Sequence, residues 1–261
     1  MAKKKESETS NLSTIEERPS FIDVADQGEG VGLEGVRAQD LIIPRAKLLQ
    51  ALSPEVDEGN NVSGQIIDSV TGEILADEEN SIAFIPVFHF LQWIEWGERE
   101  SNEGIIDQSL DPKGSLAMSV ARREKKETKE GREVFRVTEY HNFLVLLPEL
   151  SMKFPRIISC SKTNHRRARQ LLALMRMREG CPIYAGKYNL LTEKTENQNG
   201  QKYYVIDFEN NGWTTEDEYD HSKEAHEYYK KAHDEQRIAV QQDSDEAVSY
   251  THLTLPTIYS V

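Results

Sequence analysis

The chain has 261 residues, enough for one or two domains, and its 31 Lys and Arg stand against 45 Asp and Glu for a formal net charge of −14. Such a balance excludes a surface that is basic all over, so any attraction for a polyanion must be local. With only 38% hydrophobic residues, disordered ends around one core are expected.

Residues 1–38 are Glu- and Ser-rich and punctuated by Gly28, Gly30, Gly32 and Gly35, the composition of a disordered arm. Three lysines follow the first two residues, but no apolar stretch follows them, so no signal peptide is read. Order is expected from Leu41-Ile-Ile-Pro44 onward. Val70-Thr-Gly72 reads as a hairpin turn between short strands. Ser81–Trp96 is apolar in both parities, with Phe84, Phe88, Phe90, Ile94 and Trp96 on one and Ile85, Val87, Leu91 and Trp93 on the other. Aromatic and β-branched richness with Pro86 inside argues for a strand buried on both sides. Residues 97–131 read as a charged, mobile insert.

Val134–Leu147 alternates, with Phe135, Val137, His141, Phe143 and Val145 opposite Arg136, Thr138, Tyr140 and Asn142. A short strand over Pro155–Cys160 follows. Thr163 or Asn164 then caps a helix to Arg178, with Ala168, Leu171, Leu172 and Met175 at helical spacing and Gly180 and Pro182 as the stop. Ile183–Lys194 and Lys202–Glu209 form a hairpin across Asn197–Gly200. Thr215 with Glu218 is a capping-box signature opening a polar helix. The order strand, strand, strand, helix, strand, strand is that of an oligonucleotide-binding (OB) barrel. The fold class is therefore mainly β with helices (α+β): a five-stranded barrel over 39–214 with one inter-strand helix, then an acidic helix and tail over 215–247.

Between Glu149 and Glu179 the chain carries eight Lys and Arg and no acid. These are Lys153, Arg156, Lys162, Arg166, Arg167, Arg169, Arg176 and Arg178. Solvated faces normally mix signs, so an acid-free run of this length points to a phosphate-binding surface. Arg166, Arg169 and Arg176 lie on the helix away from its apolar side, where guanidinium groups can fork onto phosphate oxygens. Trp93, Tyr140, Tyr184, Tyr188 and Tyr204 lie on expected strands interleaved with Arg136, Lys187 and Lys202, the composition of a base-stacking platform. Core packing is the plainer role for any one of these aromatics. From Glu209 to Glu246 twelve acids face four bases, a net −8 suited to regulating access to a basic groove or recruiting partners.

Catalytic patterns are poor. His221, His226 and His233 are spaced by five and seven, which makes no clean metal pair on one helix face, and Cys160 and Cys181 have no metal or redox spacing. Neither a cofactor, a metal nor a catalytic residue is expected. No apolar run approaches the about 20 residues of a membrane span.

Leu41-Ile-Ile-Pro-Arg-Ala-Lys-Leu-Leu-Gln-Ala-Leu-Ser-Pro-Glu-Val56, with Val70-Thr-Gly-Glu73 and the Ile85–Trp96 run, resembles a family of tailed-phage proteins. The later layout of helix, Tyr-rich hairpin and acidic tail is similar to phage single-stranded DNA-binding proteins with an OB barrel. That resemblance covers residues 40–215 and implies a non-catalytic role in DNA replication or recombination in the host-cell cytoplasm. Single-stranded DNA would be the partner, with replication proteins met through the acidic end and self-association left open. A metal-dependent nuclease using scattered carboxylates, or a virion or scaffold interaction protein, are the rival readings. Val248–Val261 resembles a translated sequencing-adapter read-through, and the natural C-terminus is then expected to be missing.

Overall fold

The computed structural model describes residues 43–98 and 104–235. The expected N-terminal arm, the end of the acidic segment and Val248–Val261 lie outside these residues. Within them the chain divides into two compact units, one reaching Gln92 and resuming at Glu139, the other Trp93–Thr138.

The first unit is built on three long strands and a hairpin. β4 (Ile82–Trp96) begins in it, and β8 (Val137–Leu147) pairs antiparallel with β9 (Ser151–Ser161), placing Phe143 opposite Ile158. α3 (His165–Arg176) follows, then the hairpin β10 (Gly186–Glu196) and β11 (Lys202–Trp213). β10 returns to pair antiparallel with β4, Tyr188 opposite Phe84. The fold is mainly β with helices, as expected, but more strands precede α3 than the three of the expected order. The five-stranded barrel is corrected: among the described residues one mixed sheet of nine strands runs β11-β10-β4-β8-β9 and on through Arg45–Leu48, Ile66–Asp68 and Ile74–Ala76, with Ile105–Ser109 on β4. β1 (Arg45–Leu48) lies parallel to β9 and antiparallel to β2 (Ile66–Asp68), which turns into β3 (Ile74–Ala76). These strands of three or four residues are too short to show alternation, and β1 hides Arg45 and Lys47 in the fold, Lys47 through a 2.8 Å contact to Glu55 of the one-turn helix α1 (Pro54–Asp57).

The sheet curls until its two sides meet. The Gln50 amide, just beyond β1, donates to the Tyr204 carbonyl at 2.8 Å and accepts from the Tyr204 N–H at 3.1 Å, doing for β11 what a neighbouring strand would do. The Thr192 hydroxyl donates to the Gly64 carbonyl at 2.8 Å on the same side. Inside the curl, Phe84, Phe143, Val145, Ile158, Tyr188, Leu190 and Phe208 form one core. α3 seals it with Ala168, Leu171 and Met175, the residues of its apolar spacing.

β4 departs from strict alternation. Phe84 packs inward on Tyr188 and Phe208, yet His89 also packs inward, on Phe143, while Phe88 and Phe90 meet α4 (Glu216–Asp234) through His233. The facing parity reverses between positions 84 and 89, a stretch holding Pro86, which has no N–H to give the ladder. Phe88 and Phe90 thus leave the face they were expected to share with Phe84. On the outer side His226 Nδ1–H donates to the Val87 carbonyl at 2.7 Å. α4 opens with the expected capping box of Thr215 and Glu218.

The second unit fills much of the segment read as a loop. The end of β4 pairs with β5 (Ile105–Ser109), Trp93 opposite Ser109. α2 (Ser115–Arg122) and the two-stranded pair β6 (Lys126–Glu127) and β7 (Glu133–Val134) follow. The mixed-sign charge of this stretch hid these elements: several of their contacts are ion pairs, including Lys126 with Glu95 and Lys125 with Glu133, and α2 buries only Leu116 and Ala117.

Gly64 has φ +98°, and a Cβ there would lie 2.5 Å from Tyr204 Cε1. Gly64→Ala should therefore lower unfolding stability by about 1–3 kcal/mol in urea titrations, through both backbone and ring displacement. Gly59→Ala, at φ +77° with nothing near its Cβ, should lose only the backbone part of that, about 1 kcal/mol.

Candidate nucleic-acid interface

The basic island separates into two populations. Arg156, buried on β9, donates Nε–H to Asp68 Oδ2 at 2.5 Å and Nη1–H to the Phe154 carbonyl at 2.8 Å. Arg167 on α3 pairs with Asp207 at 3.0 Å and with Glu193, both on the hairpin. Lys187 holds Glu218 at 2.6 Å and ties β10 to the start of α4. Burial pushes the Glu218 carboxyl upward, but the hydrogen bonds from Lys187 and the Thr215 backbone take it below the usual glutamate range. Arg136, in the second unit, holds Glu98 at 2.5 Å and the Glu127 carbonyl at 3.1 Å. Arg136, Arg156, Arg167 and Lys187, expected at a phosphate surface, are thus each engaged by the protein itself.

Arg166, Arg169 and Arg176 are different. All three are exposed on α3, and among the described residues none has a hydrogen-bond or ion-pair partner. They share the face that carries Ala173, opposite the sealing residues Ala168, Leu171 and Met175. From Arg166 to Arg176 the stripe runs about 15 Å along the helix. Lys162, exposed at φ +48°, precedes it in a short 3-10 turn over 162–164. Lys153 is exposed toward the far end of β9, and Lys202 at the hairpin tip, so neither extends the stripe.

The electrostatics of α3 are adverse to the helix taken alone. Its first turn contains no acid and two arginines, Arg166 and Arg167, at the end where the helix dipole is already positive. α4, by contrast, places Glu216, Asp217 and Glu218 there. The Asn164 side chain does not cap α3 either; its Oδ1 accepts from the Ile206 N–H at 3.0 Å, tethering the helix to β11.

The strand aromatics are mostly core. Tyr140, Tyr188 and Trp93 are buried, and Tyr184 lies under α4 against Tyr219 and His226. Tyr204 is half-buried over Gly64, with the Lys194 ammonium 5.5 Å from its ring. The rings at these four positions, expected to form a stacking platform, are packed within the fold: Tyr140, Tyr188 and Trp93 on strands, and Tyr184 in the 3-10 turn Ile183–Ala185 rather than on the strand expected there. The large exposed aromatic beside α3 is Trp213, at the end of β11. It escaped the sequence reading because it follows Asn210, Asn211 and Gly212 and looks like a loop residue.

Where β8 leaves the core, its inward row passes from Phe143 to His141 and Glu139. His89 of β4 sits across, its Nε2 3.1 Å from His141 Nδ1, and His165 Nε2–H donates from α3 to the Glu139 carbonyl at 2.8 Å. Burial first, then repulsion by His141, holds His89 down to about 4. His141 is also lowered, by burial and then by the neighbouring charges of His165 and Arg169, with Glu139 opposing. Both shifts favour the neutral imidazoles of His89 and His141 beside the arginine stripe. Among the described residues no group of three His, Cys, Asp or Glu side chains is disposed to hold a metal ion. Nor is any helix there long and apolar enough to cross a membrane.

Comparison with known proteins places the whole described region in one family. The model of the Pam3 phage gp34-like proteins matches residues 7–235. The chain belongs to the Pam3 phage gp34-like protein family. No curated protein matches, and no solved structure matches. The expected phage origin is thus met at the level of the family, over nearly the whole chain.

Two measurements separate structural from surface groups. Arg156→Ala strands the buried Asp68 carboxylate and should cost about 3–5 kcal/mol of stability in denaturant titrations. His89 has a folded pKa of about 4 against an unfolded 6.5, so the unfolded chain binds the extra proton and stability contributed above pH 6.5 is lost as pH falls toward 4. His89→Gln should remove roughly 2–3 kcal/mol of that pH dependence, read as the difference between wild-type and variant urea midpoints at pH 7 and pH 4.5.

Proposed function

We propose that this phage protein binds single-stranded DNA without catalysis, as an accessory of DNA replication or recombination in the infected cell. The observation that carries the reading is the exposed face of α3, where Arg166, Arg169 and Arg176 stand with no acid among them and no partner among the described residues. A protein of net charge −14 that keeps three arginines unneutralised on one helix face, the first of them at the positive helix end, has a surface suited to a phosphate chain. Lys162 extends that surface at the helix start.

The opposite charge is kept elsewhere. α4 points Glu216, Asp217, Asp220, Glu224 and Glu227 outward while its other side meets Phe88, Phe90 and Tyr184. In this reading the acidic face repels DNA from the back of the sheet, so the strand is directed to α3, and it offers basic replication partners a docking surface.

The test is labelled oligo-dT binding by fluorescence anisotropy over a salt series without magnesium. The triple variant R166A/R169A/R176A removes three phosphate contacts at about 0.7 in slope each, so its log–log salt slope should flatten by about 2. Near 0.1 M salt the affinity should fall about 100-fold. An unchanged slope would remove α3 from the binding surface, and absence of binding by the wild type at low salt would end the nucleic-acid reading.

A further inference from the structure

We propose that Trp213 is a base-stacking site, taking an unpaired nucleobase on its open face while the strand's phosphates lie along α3. The inference rests on the single-stranded DNA reading and deepens it, because it names the residue that would distinguish a single strand from a duplex.

The three tryptophans of the chain are unequal. Trp93 and Trp96 are 3% and 8% exposed, whereas Trp213 is 60% exposed. Exposure of one indole is ordinary by itself; what distinguishes Trp213 is how its ring is held. Here one side is already occupied. The Arg178 guanidinium carbon lies 4.3 Å from the Trp213 ring centroid and 5.2 Å from that of the buried Tyr188. Arg178 is itself fixed, donating to Asn210 Oδ1 at 2.6 Å, to the Gly212 carbonyl, and to the Ala185 carbonyl at 3.4 Å.

The space for that guanidinium is built into the hairpin. Gly186 pairs with Trp213 in the strand register, and a Cβ at 186 would lie 2.7 Å from Arg178 Nη1. A fixed cation against one face holds the indole in place and adds cation–π attraction, so little freedom remains to be lost when a base stacks on the ring. Continuity with the phosphate surface comes from the chain itself: Arg176 ends the stripe, Met177 is 79% exposed, and Arg178 reaches Trp213. Bases in a duplex are stacked and paired, so only a single strand can offer one to this ring.

The experiment uses the intact chain and its own tryptophan emission. With Trp93 and Trp96 buried, acrylamide should quench chiefly Trp213, and saturating oligo-dT should protect it. W213F should keep the thermal midpoint of the wild type and lose the protection. W213A should weaken oligo-dT binding roughly tenfold or more while leaving duplex binding and the salt slope unchanged. Unprotected Trp213 in the wild type at DNA saturation, or wild-type affinity in W213A with the anisotropy signal intact, would overturn the stacking site and leave the phosphate surface standing. If wild-type protein gives no anisotropy change with oligo-dT at low salt, the single-strand reading and this site fall together. The wild-type quenching experiment needs no variant, so a poorly folding substitution cannot shield the proposal.

Discussion

The constraint on which the first unit depends is that β8 is dry on both faces. Phe143, Val145 and Leu147 point into the curl, while Tyr140, Asn142, Leu144 and Leu146 on the other side are equally buried. A strand with one wet face needs a single cover; this one needs two. The curl with α3 as its seal provides the first, and the outer side of the sheet carries α4. Polar groups survive on the outer row only because they satisfy one another: the Ser159 hydroxyl donates to Asn142 Oδ1 at 2.7 Å, and Asn142 Nδ2 donates to Gln92 Oε1 at 3.0 Å. The inward row ends differently, in His141 and Glu139, because there the curl opens and α3 begins.

Charge is sorted by the same geometry. The acids that neutralise Arg156 and Arg167 come from Asp68, Glu193 and Asp207, all outside the acid-free run that defines the basic island. Asp68 lies 88 residues from Arg156. An acid-free stretch of sequence therefore says little about which of its cations is neutralised in space, since a curled sheet brings distant strands to its neighbours. What decides is the face of the element: α3 turns Arg167 toward β10 and β11 and turns Arg166, Arg169 and Arg176 away.

Elements with strong periodicity or unmistakable punctuation were legible in the sequence. The Val70–Gly72 turn, the Asn197–Gly200 hairpin, α3 with its Ala168, Leu171 and Met175 seam, and the Thr215 capping box all stand where local chemistry puts them. β2 and β3 were legible from the turn between them, whereas the pairing of β1 with β2 and β9 was not, because three or four residues give no period and their place in the sheet comes from neighbours. The reversal of parity in β4 was hidden for a related reason: with both rows apolar, a change of facing between Phe84 and His89 leaves no mark in composition. Exposure of the candidate residues was legible on the helix, where spacing fixes direction, and not on the strands. Tyr140, Tyr184 and Tyr188 look alike in sequence whether they stack on bases or fill a core, and the second cover over the sheet decides the matter.

The way α3 is held argues for what its open face is for. The residue before it, Asn164, tethers it to β11, its first turn is held to β10 and β11 by the ion pairs of Arg167, and the segment just past its C-terminus is held to the hairpin by Arg178. The apolar seam adds Leu171 and Met175 in the core. Two arginines in the first turn with no acid weaken the helix intrinsically, by about 0.3–1 kcal/mol for each exposed charge. The tethers offset that loss and fix the helix on the same hairpin whose last residue is Trp213. Arginine side chains keep their own freedom, but their Cα positions relative to the indole do not move with the solvent. A surface that must follow a phosphate chain and receive one base at a set distance gains from that arrangement, because the order is built into the folded chain before any ligand arrives.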